Sequence, residues 1–291
     1  MTPESQPNAA QQDYWASAPG QKWIEHETVL DAAFSDVLEL LLRRADLRPG
    51  HKVLDIGCGT GASALAAARL TGQTGAKSSG SVDALDISDA LLQRAAERAR
   101  ALQINNLTFI RTDAQTHAFA PSGYDRVISR FGVMFFDDPV AAFANIARAL
   151  KPGGTMVFIA WAGLAANPWF AIPRRAAVAR LGAPEDTDPT APGPMALQDR
   201  DRVSALLTQA GFSTVKSDEV TVNLKFSGGL AQVAALALRL GPAARIIGEC
   251  NATEADTQAI AADIAQGLAP FGSSKGTDIP ATLNIFTASR H

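Results

Sequence analysis

Apolar and polar positions set up one rhythm along the first half of the chain and a different one afterwards. Leu30, Phe34, Val37, Leu38, Leu41 and Leu42 recur at intervals of three and four, the spacing of a helix that buries one face, and Arg43 and Arg44 sit in its last turn. Short apolar runs then alternate with helical stretches. Val53–Ile56, Ser81–Leu85, Leu107–Arg111, Asp125–Phe131 and Thr155–Trp161 read as strands. The helix after the first strand runs to about Thr71-Gly72. Ser88 caps the next, with Leu91, Leu92, Ala95, Ala99 and Leu102 along one face. Asp138-Pro139 opens a helix that reaches Leu150. Five strands alternating with helices predict a parallel sheet covered on both faces.

The rhythm changes after Trp161. Residues 167–182 read as a cap helix, and the acidic, Pro-rich run at 183–194 as a mobile connection. A helix over Asp199–Ala210 ends at Gly211, Val215–Phe226 is strand-like, residues 229–269 return to helical composition, and Ala281–Ser289 is a last strand. The expected fold class is α/β: a Rossmann-like, seven-stranded, mostly parallel sheet with an N-terminal helical segment and a helical insertion before the last strand. The expected organisation is a lid or flexible segment at 1–25, with residues 1–20 disordered or loosely docked, a ligand-binding core at 26–161, and a cap and mobile loop at 162–198. Residues 199–291 complete the core around an insertion at about 228–270. The Gly/Ser-rich run at 72–80 reads as a flexible surface connection.

Composition narrows the partners. Net charge is −3 with both signs dispersed, which argues against a nucleic-acid binder, and 47% of residues are hydrophobic, enough for a sizeable core. Neither a secretory signal nor a membrane-length apolar run is evident, so a cytoplasmic setting is expected. Cys58 and Cys250 form no metal or redox pattern, and no metal is expected. Oligomerisation is open.

The chemistry gathers where the first strand ends. Asp55 is followed by Gly57, Gly59 and Gly61, a strand, tight turn and helix of the kind that receives nucleotides. Gly57-x-Gly59-x-x-Ala62 also fits the dinucleotide fingerprint. The acids separate the two readings. Asp55, Asp86 and Asp113 fall at the ends of successive strands, hence on one rim, where they would repel a pyrophosphate. They suit a cationic, hydroxyl-rich ligand without phosphate, and S-adenosylmethionine has those properties. Asp55 would attract its amino-acid end, directly or through water. Gly57, Gly59, Thr60 and Gly61 would let the backbone approach, and Asp86 would take the ribose hydroxyls. Ile87 would cover the adenine, while Asp113, Ala114 and Gln115 would read its edge. Ser129 and Arg130, ending the fourth strand, would line the methionine side.

The runs LDIGCGTG at 54–61, ALDIS at 84–88, DAQ at 113–115 and RALKPGG at 148–154 resemble the class I S-adenosylmethionine-dependent methyltransferases over about residues 26–161. Within that family they look similar to the group that holds the ubiquinone and menaquinone C-methyltransferases. The resemblance implies the seven-stranded fold, the donor and S-adenosylhomocysteine as product, and does not fix the acceptor; methyl transfer to a small, apolar or amphipathic organic molecule is expected. Tyr14, Trp15, Trp23, Phe131, Met134, Trp161 and Trp169 are candidate acceptor contacts. No His–carboxylate pair marks a base, and His26 and His117 are the candidates. An NAD(P)-dependent oxidoreductase and a non-catalytic S-adenosylmethionine-binding module are the alternatives.

Overall fold

The computed structural model describes residues 6–72, 80–184 and 188–291. It opens with four helices, α1 (Ala9–Ala16), α2 (Ala18–Glu25), α3 (Glu27–Ala33) and α4 (Ser35–Ala45). The alternating core follows: β1 (Lys52–Ile56), α5 (Ala62–Thr71), β2 (Ser81–Asp86), α6 (Asp89–Ala101), β3 (Leu107–Arg111), β4 (Tyr124–Arg130), α7 (Pro139–Ala149) and β5 (Leu150–Trp161). Then come α8 (Pro168–Leu181), α9 (Arg200–Gln209) and β6 (Ser213–Phe226). The chain ends with α10 (Leu230–Ala237), α11 (Pro242–Glu249), α12 (Glu254–Leu268), a two-residue β7 (Gly272–Ser273) and β8 (Gly276–Ser289).

The seven long strands form one sheet in the order β3-β2-β1-β4-β5-β8-β6, with β7 paired to β8. All pairs from β3 to β5 are parallel, and β8 runs antiparallel to both β5 and β6. The expected seven-stranded Rossmann-like fold is therefore present. Central position explains the sequence of β1. Flanked by β2 and β4 and covered on both faces, it buries Val53, Leu54 and Ile56 together rather than alternately. Chain order reverses between β1 and β4, so a crevice opens at the strand ends there.

Gly57 shows why the turn after β1 must be glycine. Its φ is +66°, and a Cβ would lie 2.6 Å from the Cα of Gly132. The turn after β1 and the segment after β4 therefore cross backbone to backbone, a contact that no side chain permits.

Three expectations differ from what is seen. Residues 9–25 are two docked helices, not a disordered or loosely held tail. The apolar stripe from Leu30 to Leu42 belongs to two helices that meet at Phe34. The Pro-rich run is held at its far end: the amide of Gly193 donates to the carbonyl of Met134 at 3.0 Å. Most of the Gly/Ser connection, residues 73–79, and residues 185–187 lie outside the described residues.

Candidate functional site

The strand ends of β1 to β5 open into a cavity of about 540 Å³, within the range of small-molecule sites. One half lies over β1, β2 and β3, where Gly57, Gly59, Thr60, Asp86, Ile87, Asp113 and Ala114 line the wall. The other half lies over β4 and β5, lined by Phe131, Met134 and Trp161. It is also lined by Trp169 and Phe170 of α8, the 192–194 turn, Leu240 and Gly241 before α11, and Arg245 within α11. Arg130 lines the wall close to the crossing point. Tyr14, Trp15 and Trp23 lie along one side, so all seven candidate acceptor residues are gathered here.

Asp86 is 8% exposed. Its two carboxylate oxygens accept from the amides of Gly59 (2.8 Å) and Ser88 (2.9 Å). Burial pushes its pKa up, and those amide bonds pull it back down. The glycine turn and the N-terminus of α6 are thereby locked to one carboxylate. A Cβ on Gly59 would meet only the indole nitrogen of Trp23, at 3.9 Å, so that position faces open space.

Asp113 accepts from the amide of Gln115 (2.8 Å) and from the side-chain amide of Asn8 (2.9 Å). Asn8 is 2% exposed and left-handed, with φ 56°. It also donates to the Gln115 side chain at 3.1 Å, its backbone amide donates to the Asp137 carboxylate, and its side-chain oxygen accepts from the Asp137 amide at 2.7 Å. The Ser88 hydroxyl donates to the carbonyl of Trp15 at 3.0 Å, fixing the other end of α1. Together these bonds hold the first helices along the cavity.

A relay of charges reaches the crossing point. Arg98 of α6 donates to the Thr60 carbonyl (2.8 Å) and to Asp31 (2.6 Å), and Asp31 also accepts from Arg130 at 3.3 Å. The other terminal nitrogen of Arg130, Nη1, is buried without a partner among the described residues. A buried guanidinium nitrogen left without an acceptor is costly, and Arg130 lines the cavity.

Several expected site residues do not line the cavity. Asp55 is fully buried, its Oδ2 accepting from the Ser63 hydroxyl at 2.6 Å and its Oδ1 unpartnered among the described residues. Its carboxyl is pushed up to about 7, chiefly by burial, with the Ser63 bond and the Arg130 charge opposing. It is Ser63 that reaches the wall, so the expected contact from Asp55 is corrected to support from behind. Gly61 packs against Ala95 of α6, where a Cβ would come within 3.0 Å. Gln115 holds Asn8 rather than facing inward. The hydroxyl of Ser129 donates to the Ile56 carbonyl and accepts from the Gly132 amide, tying β4 to β1. His26 lies off the cavity wall with its Nε2 buried, and His117 shares a hydrogen bond with Thr112 (3.1 Å) and packs edge-on to Phe119. Neither histidine candidate for a base lines the cavity.

Residues that sequence reasoning did not single out for the site include Asn8, Ser63, Phe170 and Arg245. Only Ser63 carried a readable signal, a hydroxyl in the first turn of the helix facing the buried acid of the preceding strand.

Residues 53–154 match a methyltransferase domain family, and the resemblance read from the motifs is borne out. Among curated relatives, aklanonic acid methyltransferase DauC of Streptomyces sp. is 35% identical over 109 residues, 38% of this chain and 47% of that protein. Ubiquinone/menaquinone biosynthesis C-methyltransferase UbiE of Shewanella halifaxensis is 33% identical over 119 residues, 40% of this chain and 45% of that protein. The chain thus spans less than half the length of these relatives. A solved structure of phosphoethanolamine N-methyltransferase 2 from Haemonchus contortus, in complex with S-adenosyl-L-methionine, shares the fold with a TM-score of 0.56 at 16% identity, covering 94% of this chain and 60% of that one.

Proposed function

We propose that this protein is an S-adenosylmethionine-dependent methyltransferase acting on a small organic acceptor. The observation that carries the reading is the distribution of charge around the glycine turn. Two carboxylates, Asp86 and Asp113, line the half over β2 and β3, and at the crossing point Nη1 of Arg130, whose other terminal nitrogen is paired with Asp31, has no partner among the described residues. That set fits a ligand with hydroxyls at one end and a carboxylate at the other. The named relatives support the same class.

Asp86, already fixed by two amides, would accept from the ribose hydroxyls with its remaining lone pairs. Gly59 would allow close backbone approach. Ile87 would cover the adenine face, and Asp113 with the Ala114 backbone would meet its edge. Nη1 of Arg130 would hold the amino-acid carboxylate. Asp55, behind Ser63, would add negative potential under the cationic end once ionised, above about pH 7. When bound, the donor supplies a methyl group on a positively charged sulfur, which keeps the bonding electron pair as the acceptor atom takes the carbon. The rings of Trp15, Trp161 and Trp169 would exclude water and orient the acceptor, an effect worth ~7–11 kcal/mol when alignment is good.

Isothermal titration calorimetry decides between the classes. The expected result is saturable S-adenosylhomocysteine binding and no heat with NADH. NADH binding without S-adenosylhomocysteine binding would replace this reading with an oxidoreductase. Transfer of labelled methyl groups across a panel of acceptors separates an enzyme from a binding module.

A further inference from the structure

We infer that the acceptor is a planar molecule carrying a negative charge, and that Arg245 at the cavity mouth selects for that charge. The inference rests on the proposed donor site, because the donor leaves only the half over β4, β5 and the insertion to the acceptor.

That half is built from flat surfaces. The Phe131 and Trp161 rings are stacked, with centroids 4.5 Å apart and planes 3° from parallel, and Phe170 stands edge-on to Trp161 at 4.8 Å. Trp15 and Phe135 meet edge to face at 5.3 Å. Rings fixed against one another in this way offer faces and edges to a ring-shaped ligand at little entropic cost.

Its ionisable groups are one-sided. The only carboxylates lining the cavity among the described residues are Asp86 and Asp113, both on the donor side, and no histidine lines it. With Arg130 assigned to the donor's carboxylate, the ionisable groups lining the rest of the cavity are Tyr14 and Arg245. Arg245 lies near the start of α11. Its Nε donates to Glu249 at 2.6 Å, and its two terminal nitrogens form no hydrogen bond among the described residues. Tyr14 is half exposed, and a phenol that ionises at ~10 is a proton donor at neutral pH. Cys58 is likewise held as the neutral thiol by burial. The acceptor half therefore offers positive charge and proton donors, and no group to take a proton. An acceptor that arrives ionised needs none, and its charge is matched by a guanidinium whose free nitrogens present a fork to a carboxylate or enolate.

The test uses the site's own tryptophans. Fluorescence quenching is measured at saturating S-adenosylhomocysteine with 1-naphthoate and with 1-naphthylmethylammonium, one ring system with opposite charges. Naphthoate is expected to bind at least ~5-fold tighter, in keeping with a half-exposed charge pair. Arg245→Gln should remove most of that preference by weakening naphthoate alone, and Arg245→Lys should keep most of it. Equal binding of both probes to the native protein, or equal weakening of both by Arg245→Gln, would overturn the inference. Calorimetry with S-adenosylhomocysteine on the same samples separates the two levels. Normal binding without charge discrimination removes this inference alone, and no binding removes the donor reading together with it.

Discussion

Asn8 and Asp113 are joined by a 2.9 Å side-chain hydrogen bond across 105 positions of sequence. The residue that ends one wall of the donor half is thereby also the anchor of the N-terminal helices. The same asparagine is bonded to Gln115 and Asp137, so a single side chain holds α1 to two loops at the sheet rim.

Removing that anchor should loosen the helices without unfolding the sheet. Asn8→Ala is expected to cost about 1–3 kcal/mol, the range for stranding buried partners. Hydrogen exchange should quicken in residues 9–25 while β1 to β5 keep their protection. Asn8→Asp should be worse than alanine, because it sets a third carboxylate against Asp113 and Asp137. If the two variants exchange alike, like-charge repulsion is not felt at that position.

Asp86 joins the turn to α6 through two backbone amides, and both bonds need oxygens. Asp86→Asn turns one acceptor into a donor that faces an N–H. S-adenosylhomocysteine affinity should fall at least ~10-fold by calorimetry, the scale of one lost charge-assisted pair. Unchanged affinity would remove Asp86 from the donor site.

The two glycines of the turn should respond differently to alanine. Gly57→Ala drives a Cβ to 2.6 Å from the Gly132 backbone at positive φ, and the melting temperature should drop sharply. Gly59→Ala points into open space. It carries only the left-handed penalty of about 1 kcal/mol, so the protein should fold and lose donor affinity instead.

The raised pKa of Asp55 fixes the sign of a pH effect. A carboxyl at about 7 when folded and near its ordinary value when unfolded keeps its proton longer in the native state. Its contribution to stability is most favourable at low pH and is lost as pH rises from about 4 to about 7. Asp55→Asn removes this titration. Measured as denaturation midpoints, its stability relative to the parent should rise between pH 5 and pH 7.5. A difference that stays flat over that interval would mean that the carboxyl ionises normally inside the fold.

Much of this architecture was readable because it is local. Val53 to Ile56 is a run that only a central strand buries, and Gly57 stands where two backbones touch. Asp86 and Asp113 lie at strand ends, so their shared rim followed from the alternation of strands and helices. What stayed hidden depends on distance. Nothing in a polar N-terminal stretch marks Asn8 as buried, since its partners come more than a hundred residues later. Arg245 belongs to an insertion whose helices show apolar content but no direction, and only the closed sheet brings it to the mouth. Asp55 reads as facing the ligand because it falls at the end of its strand, on one rim with Asp86 and Asp113, yet the hydroxyl of Ser63 stands in front of it.

The insertion hangs from a paired clasp, Phe226 of β6 opposite Thr277 of β8, so its two ends are held together by the ladder whatever lies between them. Exchanging or lengthening such a segment adds a closure entropy that grows only with the logarithm of its length. On the proposed function, the stretch from Ser227 to Gly276 is expected to tolerate exchange as a unit, with grafts at that junction altering the acceptor side and sparing the strand ends of β1 to β3.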